Sequence, residues 1–156
     1  MSLRIITLCF LGFYSLLALL HAWSLPFSAD EAHYALYGNF LDWSYFDHPP
    51  RVGWLQSIAL SFSESEFSLR VIPIILSGLS LYVLFHLAKK DFGENTALLT
   101  ILLFISAPIL QILPFGMIPE TPLILTGLLN IWVLKKIQTN NVQQVKYWLL
   151  LGIILG

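Results

Sequence analysis

The stretch Ile5–Leu25, IITLCFLGFYSLLALLHAWSL, decides the fold class because it contains no Asp, Glu, Lys or Arg. An α-helix rises about 1.5 Å per residue, so a helix of this length crosses the roughly 30 Å hydrocarbon core of a bilayer. We therefore predict a transmembrane helix at residues 5–25.

Further apolar runs follow this first one along the chain. They predict spans at residues 71–88, 96–114 and 118–134, and the start of another at residue 147. The whole chain is 57% hydrophobic and only 11% charged, whereas soluble domains carry about 25% charged residues. The predicted fold class is all-α, a polytopic transmembrane helix bundle, and a soluble enzyme is excluded. Because the last run is too short to cross a bilayer, we expect residues 1–156 to be the N-terminal part of a longer domain.

The charges are distributed unevenly between the two sides of the predicted bundle. Basic residues fall on alternate connections, at Arg4, Lys89, Lys90, Lys135, Lys136 and Lys146. The positive-inside rule places these connections, and the N-terminus, in the cytoplasm. The outer loop, residues 27–70, then contains six of the nine acidic residues. A net charge of −1 excludes a basic surface for nucleic acid, and a single cysteine excludes a disulfide framework.

The outer loop is predicted to contain two short helices that lie along the membrane surface. The first covers residues 28–40 and begins at Ser28-Ala-Asp-Glu31, a capping-box sequence. The second follows Pro49 and Pro50 and covers residues 52–62, with its large apolar residues on one side.

Four residues near the start of the first loop helix are candidates for a polar binding site. Glu31 is explained by the capping box, whereas Asp30 is free to point at a substrate just outside the bilayer. Both carboxylates could equally serve helix initiation. His33 and Tyr34 lie on the side of Asp30, where they could bind a polar group or belong to an interfacial aromatic belt.

Four more candidate residues lie near the second loop helix and at the turn between the third and fourth predicted spans. Asp47 could orient His48, hold a divalent cation or solvate the loop. Arg51 could bind an anion or extend to lipid headgroups. Glu120 is either a site carboxylate between two apolar helices or a solvated turn residue.

The order of these motifs resembles a known family. A first transmembrane helix is followed by ADEAHY at residues 29–34, by LDWSYFDHPP at residues 41–50, and by an acid-Thr-Pro-Leu sequence at residues 120–123. This arrangement resembles the bacterial membrane glycosyltransferases of the GT-C superfamily. The nearest resemblance is to the protein-mannosyltransferase-like group (glycosyltransferase family 39 or a near relative), which includes the lipid A aminoarabinose transferases.

The resemblance implies roles for most of the candidate residues. Asp30 would be the main catalytic carboxylate, with Glu31 supporting it and Glu120 matching a second acidic position. The pair Asp47-His48 matches a motif that contributes a metal contact and a cation near a lipid phosphate. His33 and Tyr34 remain candidate substrate-binding residues beside Asp30, and a divalent cation at Asp47 is the only cofactor expected.

The implied reaction is an inverting transfer of a sugar from a polyprenyl-phosphate donor to an acceptor. The acceptor would be lipid A, a polysaccharide or a protein, on the periplasmic face of a bacterial inner membrane. Because a phosphate leaving group needs cations that take up its developing charge, His48, Arg51 and Arg70 are candidates for that role. Asp30 would deprotonate a hydroxyl acceptor. Two alternatives are an inactive truncated remnant and a transporter or flippase subunit.

Overall fold

The structure is a computed structural model that describes residues 2–139 and 145–155. These residues form helices and no strand, which confirms the predicted all-α class. The helices, in chain order, are α1 Leu3–Ser24, α2 Ala29–Asn39, α3 Arg51–Leu60, α4 Glu66–Phe92, α5 Glu94–Ser106, α6 Pro108–Gln111, α7 Glu120–Thr139 and α8 Val145–Leu155.

Two helices of the described part, α1 and α4, are long and apolar enough to cross a membrane, each with a mean hydropathy of 2.1. Most apolar side chains of α1 point outward; Phe13, for example, is 60% exposed. An outward apolar surface of this kind is stable in lipid and costly in water. These helices support a membrane location.

Helix α4 is longer than the apolar run 71–88 that predicted it. It begins at Glu66, where the hydroxyl of Ser65 accepts a hydrogen bond of 3.2 Å from the backbone N–H of Ser68. It ends at Phe92, and the next residue, Gly93, caps it with a φ of +84°, in a region that favours glycine. The 27 residues of α4 extend over about 40 Å.

The apolar run 96–114, predicted as one span, does not form one helix. Helix α5 ends at Ser106, and only the four-residue α6 follows it. The reason is Pro108, because a proline disfavours helical geometry in the preceding residue, and Ala107 is extended at ψ 119°. The side-chain amide of Gln111 donates a hydrogen bond of 3.2 Å to the carbonyl of Ile105 near the break.

The two loop helices pack closely against each other. A Cβ added to Gly38 of α2 would lie 2.9 Å from the Cβ of Gln56 in α3, so the backbones approach at a point that only glycine allows. Below them Ala35, Ala59 and Leu69 form a small buried cluster that joins α2, α3 and α4. The loop helices are therefore fixed to one end of the bundle.

The other end of α4 carries the basic residues. Lys89 forms a 2.8 Å ion pair with Glu94, and Lys135 contacts Asp91. Arg70, beside the loop helices, is about 28 Å from Lys89 along the helix axis. The acidic loop and the basic connections thus lie at opposite ends, as the charge pattern predicts. Which end faces the cytoplasm stays a prediction.

Candidate active site

The start of α2 has the capping geometry that its sequence predicts. The backbone N–H of Glu31 donates to the hydroxyl of Ser28 at 3.3 Å, and the backbone N–H of Ser28 donates to the carboxylate of Glu31 at 2.9 Å. Each partner satisfies a backbone donor at the helix N-terminus. The predicted capping box is confirmed, and it fixes the direction in which α2 leaves the membrane boundary.

Glu31 has a second role that the sequence did not predict. Its carboxylate accepts two hydrogen bonds from the guanidinium of Arg70, of 2.6 and 3.0 Å, and Arg70 is only 1% exposed. The same guanidinium donates to the carbonyls of Leu25 and Pro26 at 2.5 and 3.0 Å. Arg70 therefore joins the end of α1, the start of α2 and α4.

The interpretation of Arg70 as a cation for the lipid phosphate is wrong. The Arg70 side chain is buried and already binds a carboxylate and backbone carbonyls. Its positive charge is therefore paired with Glu31 inside the protein and does not reach a lipid phosphate. The turn before α7 closes over this ion pair. A Cβ added to Gly116 would lie 2.8 Å from the Cγ of Glu31, so glycine is required for the close contact.

The ion pair determines the protonation state of Glu31. Burial raises the pKa of the Glu31 carboxyl, but the hydrogen bonds from Arg70 and from the backbone of Ser28 outweigh it, and the net pKa lies below the usual 4.5. Glu31 is therefore ionised at neutral pH and sits as a buried structural carboxylate beside Asp30.

Asp30 is exposed and faces a cavity of about 320 Å³. Tyr34 and Glu120 contribute the other polar side chains of this Asp30 cavity, and apolar residues of α6 and α7, such as Ile109 and Ile124, form the remainder of its wall. Two carboxylates and a phenol thus face one largely apolar space. Such a space suits a sugar carried on a lipid.

A second cavity, of about 520 Å³, lies on the other side of Glu120. His48 and Arg51 line this Arg51 cavity, together with Trp54 and with Leu155 at the end of α8. Glu120 is the residue that lines both cavities. Asp30 thus faces the first cavity, the two candidate cations face the second, and Glu120 faces both.

The position of Glu120 depends on the turn that precedes α7. Thr121 is 1% exposed, and its hydroxyl donates to the carbonyl of Leu113 at 3.1 Å. Pro122 lies in the first turn of α7, where a missing backbone N–H costs nothing. Glu120 is therefore held at the first residue of the helix, where the helix dipole favours a negative charge.

Arg51 is half-buried at the start of α3 and joins three helices. Its guanidinium donates to the hydroxyl of Thr126 in α7 at 3.2 Å and to the carbonyl of Ile154 in α8 at 3.4 Å. Neither partner carries a charge, so the positive charge of Arg51 is not neutralised by these bonds and stays at the wall of the Arg51 cavity.

A hydrogen-bond network connects α2 to the loop before α3. The hydroxyl of Tyr34 lies 3.0 Å from Nε2 of His48, and the hydroxyl of Tyr37 donates to the carboxylate of Asp47. His33 lies 2.8 Å from the hydroxyl of Tyr37 and 3.7 Å from Asp47. These contacts bring four of the predicted residues together, and Tyr37, which follows on the same face of α2, links them.

Tyr45 is a member of the site that sequence reasoning missed. Its ring stacks on Tyr37 at 3.8 Å between centroids, and its hydroxyl donates to the carbonyl of Tyr37 at 2.8 Å. A Cβ on Gly53 would collide with that hydroxyl. The available signal was the glycine in the first turn of α3, since such a glycine often marks a close approach.

The acidic side chains and the tyrosines of the site shift one another's pKa values. The hydrogen bond from Tyr37, together with the nearby imidazoles, holds the pKa of Asp47 below its usual range. Burial and the bond to Asp47 raise the pKa of Tyr37 to about 12. The pKa of Tyr34 is also raised, first by burial and then by the negative charges of Asp47, Asp30 and Glu120. All three carboxylates are therefore within electrostatic reach of one phenol.

The described residues do not include a group of three or more His, Cys, Asp or Glu side chains arranged to hold a metal ion. Asp47 accepts a hydrogen bond from Tyr37, and its other oxygen lies 3.5 Å from His48. The predicted divalent cation at Asp47 therefore lacks a set of three such ligands among the described residues, and no step of the reaction below is derived through it.

Comparison with known sequences assigns the chain to a family. The sequence model described as dolichyl-phosphate-mannose-protein mannosyltransferase matches residues 47–156. Neither the curated proteins nor the solved structures include a significant match. The matched region includes Asp47, His48, Arg51 and Glu120, whereas α2 with Asp30 precedes it. Because the match covers more than half of the 156 residues, the chain belongs to the dolichyl-phosphate-mannose-protein mannosyltransferase family, which implies a membrane glycosyltransferase with a polyprenyl-phosphate sugar donor.

Proposed function

We propose that these helices form the active site of an inverting glycosyltransferase. The enzyme transfers a sugar from a polyprenyl-phosphate donor to lipid A, a polysaccharide or a protein, on the periplasmic face of a bacterial inner membrane. The observation that carries the proposal is that Asp30 lines one cavity, His48 and Arg51 line a second, and Glu120 lines both. An acceptor and a leaving phosphate need opposite charges on opposite sides.

The reaction follows from these charges. Asp30 takes the proton of an acceptor hydroxyl while the hydroxyl oxygen forms a bond to the anomeric carbon of the sugar. The bond between that carbon and the phosphate oxygen breaks, and the electron pair leaves with the polyprenyl phosphate. Arg51 and His48 stabilise the charge that develops on the phosphate. A single displacement of this kind inverts the anomeric configuration.

The other candidate residues position these groups. Tyr34 holds His48, and the pair Glu31–Arg70 fixes the helix that carries Asp30. We propose that Glu31 supports catalysis in this way and does not touch the substrate. His33 lies at the edge of the network, where it can bind a sugar hydroxyl. A divalent cation at Asp47 stays a prediction, which a transfer assay with chelator would check.

The test is transfer of a radiolabelled sugar from its polyprenyl-phosphate carrier in membranes that contain the protein. Asp30→Asn should lower transfer by at least about 100-fold, because it removes the general base. Asp42→Asn is the matched control, since Asp42 is an exposed acid of the same loop whose carboxylate bonds to the neighbouring backbone. It should leave transfer unchanged, with both variants present in equal amounts.

Two results would contradict the proposal. Normal turnover by Asp30→Asn would remove Asp30 from the mechanism. No transfer by the unmodified protein, with donor and acceptor membranes supplied, would favour the inactive remnant. The transporter alternative predicts movement of the lipid-linked sugar across vesicles without transfer, which the same membranes can report.

A further inference from the structure

A third cavity, of about 610 Å³, lies at the basic end of the bundle, away from the candidate active site. It is a groove between α1 and α4, with α5 as its floor. The floor is formed by buried side chains, among them Leu98 and Ile101. The walls are mostly apolar, and the polar groups Arg4, Lys89 and Glu94 lie together at one end.

The length of this groove matches one leaflet of a membrane. On α4 its lining runs from Gly78 to Lys89, which corresponds to about 16 Å of helix. The hydrocarbon core of a bilayer is about 30 Å thick, so one leaflet contributes about 15 Å. The charged end therefore lies at headgroup level when the apolar end lies near the middle of the bilayer.

The charged end carries an excess of positive charge. Lys89 forms a 2.8 Å ion pair with Glu94, and the charge of Arg4 also acts on that carboxylate. Two cations thus share one acid at the mouth of the groove. The side chains of Arg4 and Lys89 are both exposed, so they can contact a headgroup.

We propose that this groove binds one anionic phospholipid of the surrounding membrane. An acyl chain lies along Gly78 and Tyr82, and the lipid phosphate contacts Arg4 and Lys89. The apolar walls select an acyl chain, whereas the positive mouth selects a net negative headgroup over a zwitterionic one. The proposal is independent of sugar transfer, because the groove lies at the opposite end of α4 from Arg70 and the loop helices.

The experiment is native mass spectrometry of the full-length protein in detergent, with phosphatidylglycerol or phosphatidylcholine of identical acyl chains. The unmodified protein should bind one phosphatidylglycerol more tightly than phosphatidylcholine. Arg4→Gln should lower the affinity for phosphatidylglycerol about fivefold and that for phosphatidylcholine less, because the choline group offsets the phosphate charge that Arg4 contacts. Lys90→Gln is the matched control, because Lys90 is adjacent to Lys89 but does not line the groove. It should have no effect.

A second variant tests the acyl-chain part of the groove. A Cβ added to Gly78 meets no atom within 4 Å, so Gly78→Leu should fold normally and fill the space. It should abolish binding of both lipids without lowering the melting temperature. Equal affinity for both headgroups, an equal loss in Lys90→Gln, or unchanged binding in Gly78→Leu would overturn the proposal. An unmodified protein that binds neither lipid would also overturn it and indicate a further helix of the protein in the groove.

Discussion

Removal of Arg70 should destabilise the protein far more than removal of an exposed lysine in a comparable ion pair. In Arg70→Met the apolar part of the side chain is kept, but Glu31, only 7% exposed, loses both of its guanidinium hydrogen bonds. The carbonyls of Leu25 and Pro26 lose a donor as well. Breaking one side of a buried ion pair costs about 3–5 kcal/mol, because it leaves an uncompensated charge.

This cost can be measured as a melting temperature in detergent by tryptophan fluorescence. For a chain of this size, about 3–5 kcal/mol corresponds to a decrease of roughly 10 °C. The double variant Glu31→Gln with Arg70→Met should melt higher than Arg70→Met alone, because it leaves no buried charge. Lys89→Met is the control: its 2.8 Å pair with Glu94 is equally short, but its side chain is 47% exposed.

Burial of the two charges, and not the distance between them, determines how much an ion pair contributes to stability. Lys89→Met should therefore melt close to the unmodified protein, since exposed pairs contribute little. A loss in Lys89→Met as large as that in Arg70→Met would refute the reasoning. So would a double variant that melts no higher than the single one.

The remaining predictions concern pH and topology. Because hydrogen bonds from Arg70 hold the pKa of Glu31 below 4.5 in the folded protein, their stabilisation is present above about pH 4.5 and is lost as the pH falls through the folded pKa. The melting temperature should be constant from about pH 7 to pH 5 and should fall below that range, less steeply in Glu31→Gln; an identical fall in both would contradict it. In a Cys9→Ser background, an impermeant maleimide should label Ser44→Cys on intact cells and Asn95→Cys only after permeabilisation. Labelling of both on intact cells would contradict the predicted topology.

Local sequence signals predicted most of the helices and the loop architecture. Apolar runs identified α1 and α4, and the Ser28 capping box identified the start of α2. The predicted helix bounds were less accurate, because the polar residues at the start of a helix lie outside its apolar run. Glu66, the first residue of α4, is an example. Residues 96–114 were predicted as one span because the prediction used hydropathy, and hydropathy does not change where a proline breaks a helix. Pro108 was visible in the sequence and is the reason that α5 and α6 are separate.

The site was predicted as a set of residues, but its internal contacts were not. Glu31 and Arg70 are 39 positions apart, and no periodicity relates residues on different helices. A physical signal did exist for Arg70, which is a single cation in the first turns of an apolar helix on the acidic side of the chain. A charge in that position needs a counter-ion, but the sequence does not indicate which acid provides it.

The two parts of the site have different support, and Tyr34 connects them. Family membership rests on residues 47–156, which include His48, Arg51 and Glu120 but not α2. Asp30 enters the site because Tyr34, one turn later on α2, reaches His48 at 3.0 Å and lines the same cavity as Asp30 and Glu120. A helix that was merely attached to the membrane surface would not need this contact with the matched region. The geometry thus makes α2 a wall of the same site and favours Asp30 as the carboxylate opposite the two cations that we propose to bind the phosphate.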